Sequence, residues 1–482
     1  MRGPRDSDWQ FGTTVGDRLA ASNLFRSGSP ASNLRRYTPR FWRFGVTVRR
    51  NGRVQVYLRP WTAPDDRSFS TTVLLQLIAI IVSDSSAQVS SEISQRMSHN
   101  GVEGYGAAVR AFNPGKMQYR FLGRTGLKVS ALSFGSWVTG MGGPSLWAES
   151  SRLAFFPANI GAVGGQVGQE TSKQCMLEAF NHGVNYFDTA EVYASGECEK
   201  VFGQALRDLG FKRSDIVVST KLFWGGAGPN DTGLSKKHVF EGMNASLSRL
   251  GLDYVDIVMA HRPDPLTPME EIVRAFTEIV QSGKALYWGT SEWKAHDIER
   301  AHHMAAVHHL IAPVCDQPQY NAFWRDRVED ELRPILRNYG YGLTIWSPLD
   351  NGILTGKYND GIPEGSRLTG ADAASSDKQN MINFGKALST PAGKTKLAKV
   401  RELGAVAKEL GCTTAQLALA WCLSNEQVST VITGASRPEQ VKENMKALDV
   451  YDQLKSNPAL QSRIEKVLDN KPASEELFNR WA

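Results

Sequence analysis

The chain segment between residues 216 and 259 reads IVVS (residues 216–219), KKHVFEGMNASLSRL (residues 236–250), Gly251, and then YVDIVM (residues 254–259). The two short apolar runs are typical of buried parallel strands. The amphipathic stretch between them predicts a helix that ends at Gly251, because glycine adopts the positive φ of a helix end without steric cost. This segment therefore predicts a strand–helix–strand unit.

The same alternation continues on both sides of this unit. Other amphipathic stretches followed by glycine predict helices at Glu170–His182, Glu197–Leu209, Met269–Ser282, Val328–Tyr339 and Val400–Leu410. Apolar runs predict eight strands, near residues 130–135, 185–188, 216–220, 255–260, 285–289, 313–316, 342–346 and 428–433. Alternating strands and helices favour an α/β fold, a (β/α)8 TIM barrel, over an open doubly wound sheet, and no GxGxxG follows a strand. A hairpin at residues 119–132 is predicted to precede the barrel.

Charge and composition divide the chain near Met117. Residues 1–116 hold 15 Arg and one Lys against eight acidic residues, whereas residues 117–482 hold 39 basic and 41 acidic residues. No helical or alternating period persists in the first part. We therefore expect residues 1–116 to be a disordered or mis-annotated extension, with a targeting peptide as the alternative. Residues 117–472 are expected to form the barrel, and residues 473–482 a C-terminal tail.

Composition argues against several classes of protein. The chain of 482 residues is 41% hydrophobic and 22% charged, and its longest apolar run, Val73–Val82, is too short to span a membrane. The five cysteines are widely spread without CxxC spacing, which argues against a zinc site or a disulfide framework and favours a reducing compartment. The near-neutral barrel gives no reason to expect nucleic-acid binding. We expect a cytoplasmic protein without membrane insertion.

The chemistry of a TIM barrel lies at the C-terminal ends of its strands. The predicted strand ends bring Asp188, Tyr193, Lys221 and His261 to one mouth. A lysine ammonium lowers the pKa of a neighbouring tyrosine, an aspartate keeps that lysine charged, and a histidine can donate a hydrogen bond to a carbonyl oxygen. Alone, each residue has a structural interpretation, such as a helix cap for the aspartate. Together the four predict a proton-transfer site.

A histidine-rich stretch forms a second group of titratable residues, with His302, His303, His308 and His309 close together. Four imidazoles can indicate a metal site. Without a neighbouring acidic residue or cysteine at ligand spacing, a solvated helix face is the better interpretation. No metal site is predicted.

Several motifs resemble those of one enzyme superfamily. Residues 185–193 (NYFDTAEVY), 220–224 (TKLFW) and 289–293 (GTSEW) are similar to motifs of the aldo-keto reductases. Further motifs are typical of the branch that contains the β subunits of voltage-gated potassium channels and their fungal and bacterial relatives. They lie at residues 233–238, 262–265, 268–271, 346–349, 420–423 and 434–436. The resemblance runs from about Met117 to Pro472.

The resemblance implies that the cofactor is NADP(H), in its oxidised or its reduced form. It is expected to bind across the barrel mouth without a Rossmann fold. The residues that match the family's nicotinamide-binding positions are Ser136, Trp137, Gln166, Asp188, Ser291, Glu292 and Gln317. The residues that match the family's positions for binding the pyrophosphate and the ribose phosphate are Trp346, Ser347, Pro348, Leu349, Asp350, Asn351, Lys357 and Arg367. The residues that match the family's adenosine-binding positions are Gly434, Ser436, Gln440, Glu443 and Asn444. Positive charge at Lys357, Arg367 and Arg437 favours NADP over NAD, because it can bind a 2′-phosphate.

The resemblance also implies an activity, and it leaves an alternative open. The activity is reduction of aldehyde or ketone carbonyls to alcohols, with hydride from NADPH and a proton from Tyr193. His261 stands where channel β subunits usually carry Asn, which favours this reductase. The alternative is a potassium-channel β-subunit-like regulatory protein that binds NADPH with little turnover. The implied partners are a small carbonyl substrate, further copies of the chain in a homo-oligomer, and an ion-channel subunit.

Two further departures from the family pattern concern the barrel mouth. Glu292 replaces an arginine of the animal β subunits. The family runs almost directly from residues 137–139 to residues 164–166, whereas residues 140–163 intervene here. This segment lacks any helical or alternating period, so we interpret it as a non-native insertion from a retained intron.

Overall fold

A computed structural model describes residues 109–137, 168–369 and 375–473, apart from the side chains of Arg367 and residues 375–378, together with the backbone of three earlier strands. Those strands are β1 (Gly12–Gly16), β2 (Phe41–Val48) and β3 (Val54–Trp61), which pair antiparallel in the order β1-β2-β3. They belong to a unit of residues 1–97, separate from the unit of residues 98–482. The sequence pattern did not predict these three strands. Most of residues 1–116 lie outside the described residues, so their assignment as an extension stays a prediction.

The unit of residues 98–482 is built around a closed barrel of parallel strands. Each strand pairs with the next along the chain, and the last pairs with the first through Val431 and Leu132. The strands are β6 (Leu132–Gly135), β7 (Tyr186–Asp188), β8 (Val217–Leu222), β9 (Val255–Ala260), β10 (Ala285–Thr290), β11 (Cys315–Asp316), β12 (Gly342–Ile345) and β13 (Val428–Thr433). The eight predicted strands and the (β/α)8 barrel are confirmed.

A hairpin precedes the barrel, as the sequence predicts. Strand β4 (Tyr119–Phe121) pairs antiparallel with β5 (Lys128–Ser130). Leu122 and Val129 from this hairpin are fully buried in one cluster with Ile257 of the barrel. The hairpin therefore contributes side chains to the apolar interior.

Helices surround the barrel. They are α1 (Gln169–Asn181), α2 (Glu197–Asp208), α3 (Lys236–Leu250), α4 (Met269–Gln281), α5 (Ala295–Val307), α6 (Arg333–Tyr339), α7 (Ser375–Ala387), α8 (Pro391–Glu409), α9 (Thr414–Leu423), α10 (Pro438–Met445), α11 (Ala447–Ser456) and α12 (Pro458–Leu468). Helix α3 has the predicted bounds and ends at Gly251, whose φ is 65°. In the described part of the chain, no helix is both long and apolar enough to cross a membrane.

Two predicted helices differ from the observed ones. The helix predicted at Val328–Tyr339 is divided into a π-helical turn, Arg327–Glu331, and α6. Pro334 explains the division, because it has no backbone N–H to continue the regular hydrogen-bond ladder. The helix predicted at Val400–Leu410 begins earlier, at Pro391, where the Thr390 hydroxyl accepts a hydrogen bond from a backbone N–H and caps the helix.

Residues 109–116, which precede the hairpin, contact later parts of the same unit. The backbone N–H of Arg110 donates to the carbonyl of Gly210 at 2.9 Å. The ammonium of Lys116 lies 2.8 Å from a carboxylate oxygen of Asp449. The barrel therefore has contacts on the N-terminal side of the predicted domain boundary at residue 117.

Candidate active site

Four titratable side chains meet at the C-terminal ends of neighbouring strands. Asp188 is the last residue of β7, Lys221 lies near the end of β8, and His261 directly follows β9. Tyr193 lies in the turn that follows β7. All four residues are at most 5% exposed. We call these residues the tetrad.

Lys221 is the centre of the tetrad. Its ammonium donates to Asp188 Oδ2 at 2.6 Å, to the Thr189 carbonyl at 2.8 Å and to Tyr193 Oη at 3.1 Å. Three acceptors match the three protons of an ammonium. Burial lowers the pKa of Lys221, but Asp188 and Tyr193 together outweigh burial through charge and hydrogen bonding, so the pKa is raised overall. The lysine is therefore charged at neutral pH.

The pKa of Tyr193 differs from the sequence-based expectation. Lys221 does lower this pKa, but burial raises it by more, and the overall direction is upward. The phenol is therefore protonated at neutral pH. Since an ammonium can only donate, the hydroxyl oxygen accepts from Lys221, and the O–H proton of Tyr193 remains available to another acceptor.

His261 faces Tyr193, with ring centroids 5.9 Å apart. Burial lowers the pKa of His261 well below its ordinary value, and the nearby charges of Arg262 and Lys221 add to this effect. The imidazole is therefore neutral at pH 7. Its Nδ1 atom is buried and has no hydrogen-bond partner among the described residues.

Two indole rings stand beside the tetrad. Trp137 packs edge-on against Tyr193, with centroids 5.1 Å apart. Trp224 packs in a similar way against His261, at 5.0 Å. Both tryptophans are partly exposed. They give the mouth aromatic walls next to the proton donor and the imidazole.

The side chains predicted for the nicotinamide side are linked to the tetrad. The Gln317 side chain donates from Nε2 to Asp188 Oδ1 at 3.1 Å, and the backbone carbonyl of Gln317 accepts from the Ser291 hydroxyl at 2.9 Å. The Ser136 hydroxyl donates to Thr189 Oγ1 at 2.9 Å. Gln166 lies outside the described residues.

Glu292 does not extend freely into the mouth. It has a φ of 59°, and its Oε1 atom accepts from Gln319 N at 2.5 Å and from Trp346 Nε1 at 2.9 Å. Its other carboxylate oxygen lies 3.5 Å from Arg327 Nε. Glu292 therefore joins the loop after β10 to the loops after β11 and β12.

The loop after β12 contains most of the residues predicted to hold the pyrophosphate. Its left-handed residues are Ser347 (φ 55°), Asp350 (46°), Asn351 (55°) and Gly352 (92°). Turns of this kind bring backbone N–H groups together around an anion. A Cβ atom at Gly352 would lie 2.9 Å from Cε and 3.1 Å from Nζ of Lys357, so this ammonium lies over the turn. Trp346, Pro348 and Leu349 lie in the same loop, and the side chain of Arg367 is not described.

The residues predicted for the adenosine end follow β13. Gln440 Oε1 accepts from the backbone N–H of Ser436 at 2.8 Å and from its hydroxyl at 3.1 Å. The Glu443 carbonyl accepts from Gln416 at 3.0 Å, and Asn444 is buried beside it on α10 while Gly434 is exposed. These contacts hold the group together and attach it to α9, but they do not join it to the tetrad.

Sequence reasoning missed two residues that position groups of the site. The Ser219 hydroxyl donates to Asp188 Oδ1 at 2.6 Å. Ser219 lies two residues before Lys221, and alternate residues of a strand share one face, so the strand pattern could have identified it. Glu191 accepts from Phe223 N at 2.6 Å and thereby anchors the loop that carries Trp224. No sequence signal indicated this role for Glu191.

The histidine-rich stretch is only partly a solvated face. His303 and His309 are exposed, but the ring of His302 stacks on Tyr339 with centroids 3.9 Å apart. Burial lowers the pKa of His302 to about 4. Within the described ranges, no group of histidine, cysteine, aspartate and glutamate side chains could hold a metal ion.

The comparisons with known proteins agree with the barrel. A family model described as "Aldo/keto reductase family" matches residues 157–459. A putative voltage-gated potassium channel subunit beta of Schizosaccharomyces pombe is 50% identical over 368 residues, which is 76% of this chain and 97% of the relative. Probable voltage-gated potassium channel β subunits of Arabidopsis thaliana and Oryza sativa are 48% and 47% identical over 363 residues, covering 75% of this chain and 100% of each relative. The chain belongs to the aldo/keto reductase family.

Proposed function

We propose that this protein reduces aldehyde or ketone carbonyls to alcohols with NADPH as the hydride donor. Membership of the aldo/keto reductase family supports an oxidoreductase function. The observation that carries the finer proposal is the buried contact of Lys221 with both Asp188 and Tyr193. It places a protonated phenol and a permanent positive charge at one end of the barrel.

Tyr193 is the proton donor in this proposal. As negative charge develops on the carbonyl oxygen, that oxygen becomes a far stronger base than the phenolate, so the Tyr193 proton transfers to it even from a phenol of raised pKa. Lys221 stabilises the phenolate that remains, because its ammonium lies 3.1 Å from the phenol oxygen. Asp188 keeps the ammonium charged and in place.

His261 orients the carbonyl. A neutral imidazole can donate one hydrogen bond to the carbonyl oxygen without competing with Tyr193 for the proton. The lowered pKa of His261 keeps the ring neutral through the physiological range. The aromatic rings of Trp137 and Trp224 pack beside Tyr193 and His261 and line the same place.

The residues at the mouth fit a phosphate-bearing nucleotide. The left-handed turn at Ser347–Gly352 and the Lys357 ammonium above it have the chemistry of an anion site. NADPH would be held there, by Ser291 and Gln317 at one end, and by Gly434, Ser436, Gln440, Glu443 and Asn444 at the other. When bound, it supplies the hydride. Arg367 and Arg437 would distinguish NADPH from NADH by the 2′-phosphate.

A second candidate function comes from the names of the relatives. They are named as voltage-gated potassium channel β subunits, so a nucleotide-loaded barrel that regulates an ion channel is the alternative. In that case the partner would be a channel subunit, and the protein would act as a homo-oligomer in the cytoplasm with little turnover. The two functions differ in whether carbonyl reduction is faster than exchange of the bound nucleotide.

Comparison of the full chain with Tyr193→Phe tests the proposal. Oxidation of NADPH is followed with a panel of aldehydes and ketones, and nucleotide binding is measured separately by fluorescence. We expect turnover to fall at least about a hundredfold, the usual scale of general-acid catalysis, while NADPH still binds. The control is Tyr339→Phe, whose hydroxyl contacts Glu299 at the surface. Near-normal turnover by Tyr193→Phe would contradict the assignment of Tyr193 as the proton donor. If carbonyl turnover of the unmodified protein is slower than nucleotide exchange, the channel-regulating function is favoured instead.

A further inference from the structure

A cation that the proposed reaction does not use lies beside the tetrad. Arg262 directly follows His261, is partly buried, and donates from Nη1 to the His261 carbonyl at 2.5 Å and to the Ser291 hydroxyl at 3.3 Å. Both acceptors are neutral. Among the described residues, no aspartate or glutamate forms an ion pair with this guanidinium. A partly buried charge without a counter-ion is costly, and an anion that binds there would be stabilised.

The carboxylate of Glu292, whose charge acts most strongly on Arg262, is hydrogen-bonded to other groups. Burial lowers the pKa of Arg262 overall, and Glu292 opposes this shift only in part. The Glu292 oxygens are themselves bound by Gln319 N, Trp346 Nε1 and Arg327. Arg327 is itself a second cation that acts on Arg262. Glu292 and Arg327 therefore neutralise each other, and the charge of Arg262 remains.

Two other carboxylates near this position are also engaged. Asp316 is fully buried, accepts from the Thr290 hydroxyl at 2.6 Å, and burial raises its pKa to about 7, so it carries only part of a charge at neutral pH. Asp264 accepts from the Thr267 hydroxyl at 2.7 Å and from two backbone N–H groups within its own loop and the preceding one. Neither forms an ion pair with Arg262.

Trp224 connects Arg262 to the reacting end of the mouth. The Arg262 guanidinium lies 5.6 Å from the centroid of the Trp224 ring, and the same ring lies 5.0 Å from the His261 ring. A flat molecule that packs along Trp224 can thus have one end at His261 and the other at Arg262. Carboxylates match the fork of a guanidinium, which favours an anion of this class.

We infer that the carbonyl substrates of this protein carry a carboxylate, which Arg262 binds while the carbonyl lies at Tyr193 and His261. This inference rests on the proposed function, because it names the substrate class of the same site. It makes Arg262 a specificity residue, one that separates anionic from neutral carbonyl compounds of equal size.

A pair of probes that differ only in charge tests the inference. They are 4-formylbenzoate and its methyl ester, with turnover measured on the full chain and NADPH. Binding is measured independently of turnover, by calorimetry with the alcohols 4-(hydroxymethyl)benzoate and its methyl ester in the presence of NADP+. We expect the acid to exceed the ester at least about tenfold in both kcat/KM and affinity, the scale of a charge-assisted hydrogen bond.

Variants of Arg262 separate charge from a structural role. Arg262→Gln should reduce the acid-to-ester ratio to near one, whereas Arg262→Lys should keep part of it. The control is Arg274→Gln on the exposed face of α4, which pairs with Glu270 and should leave the ratio unchanged. Equal turnover and equal binding of acid and ester would overturn the inference while the proposed function stands. Preferential, Arg262-dependent binding of the acid without reduction of any carbonyl in the panel would overturn the proposed function, and with it the substrate class, while leaving Arg262 as a carboxylate-binding residue. Failure to bind or reduce either compound would overturn the inference, and the panel of aldehydes and ketones would decide the proposed function separately.

Discussion

Lys221 and Asp188 form an ion pair inside the protein, with Nζ 2.6 Å from Oδ2 and side chains that are 0% and 4% exposed. A second buried pair, Arg213 with Asp256, joins the residues before β8 to β9 at 2.7 Å. Buried pairs cost desolvation, and removal of one partner leaves an uncompensated charge. The two pairs lie at opposite ends of the strands. The pair at the C-terminal ends contacts Tyr193, whereas the other contacts backbone groups near the strand starts.

The first prediction compares these pairs. Lys221→Met should lower the free energy of unfolding by about 3–5 kcal/mol, because Asp188 is left charged and unpaired. The double variant with Asp188→Asn should recover much of this stability but no carbonyl turnover. Urea unfolding and NADPH oxidation measure the two effects.

Arg213→Met is the matched control for that experiment. It should lose stability on the same scale, yet its folded fraction should retain turnover, since Arg213 lies away from the tetrad. If Lys221→Met were as stable as the unmodified protein, the buried pair would not have the energetic role assigned to it here.

The second prediction concerns pH and His302. Its pKa in the folded protein is about 4, against an ordinary value of 6.5, because stacking on Tyr339 buries the ring. As pH falls below 6.5, the unfolded chain takes up a proton that the folded protein does not, so stability is lost down to about pH 4. His302→Phe keeps the stacked ring but cannot titrate. It should therefore lose less stability than the unmodified protein between pH 7 and pH 4.

Urea midpoints across this pH range provide the test. The His302→Phe variant should still lose some stability as the pH falls, because the pKa of buried His261 is also lowered. The control is His303→Phe on the exposed face of the same helix, which should follow the unmodified protein. A parallel acid loss in His302→Phe and the unmodified protein would contradict the shift assigned to His302.

The sequence predicted the barrel well because each element carried a local signal. Parallel strands such as Val255–Ala260 are continuous apolar runs, and helices such as Lys236–Leu250 end at a glycine with positive φ. Both signals act within a few residues. The division of the helix around Pro334 was missed, although the proline was visible, because the amphipathic pattern continues across it.

The site was harder to predict where contacts join distant residues. The tetrad residues lie at predicted strand ends, so the topology alone brings them to one mouth. The balance that raises the pKa of Tyr193 depends on how deeply Tyr193 is buried, which spacing does not reveal. The unpaired charge of Arg262 depends on where Glu292 and Arg327 meet, and no local pattern encodes that pairing.

The third prediction concerns nucleotide selectivity. Arg367→Ala should weaken NADPH binding roughly tenfold or more while NADH binding changes less, because only NADPH carries the 2′-phosphate that a guanidinium can bind. Titration of both nucleotides by fluorescence gives the two affinities. Arg300→Ala on the exposed side of α5 is the control. Equal losses of affinity for NADPH and NADH would mean that Arg367 contacts a part that both nucleotides share. No loss for either nucleotide would mean that Arg367 contacts neither of them.

The fourth prediction concerns residues 140–163, which lie outside the described residues and between β6 and α1 in sequence. A connection at this place faces the cofactor side of a TIM barrel, where βα loops commonly have two to six residues, and unstructured loops beyond about 15 residues are uncommon. The segment of 24 residues contains Trp147, Phe155 and Phe156 without a period or cap that would form an element of its own. Loop closure alone would tolerate it, since each doubling of length costs about 0.6 kcal/mol.

Deletion of residues 140–163 should therefore leave the thermal midpoint unchanged or raise it. It should also tighten NADPH binding, because Trp137 and Gln166, on either side of the segment, would be connected by the short loop that the family pattern has. Thermal unfolding and fluorescence titration of the deletion variant measure both quantities. As a control, replacement of the segment by a Gly/Ser linker of equal length should bind NADPH no more tightly than the unmodified chain, because length rather than composition would loosen the loop. If the deletion unfolds the barrel or abolishes nucleotide binding, residues 140–163 form a genuine part of the fold.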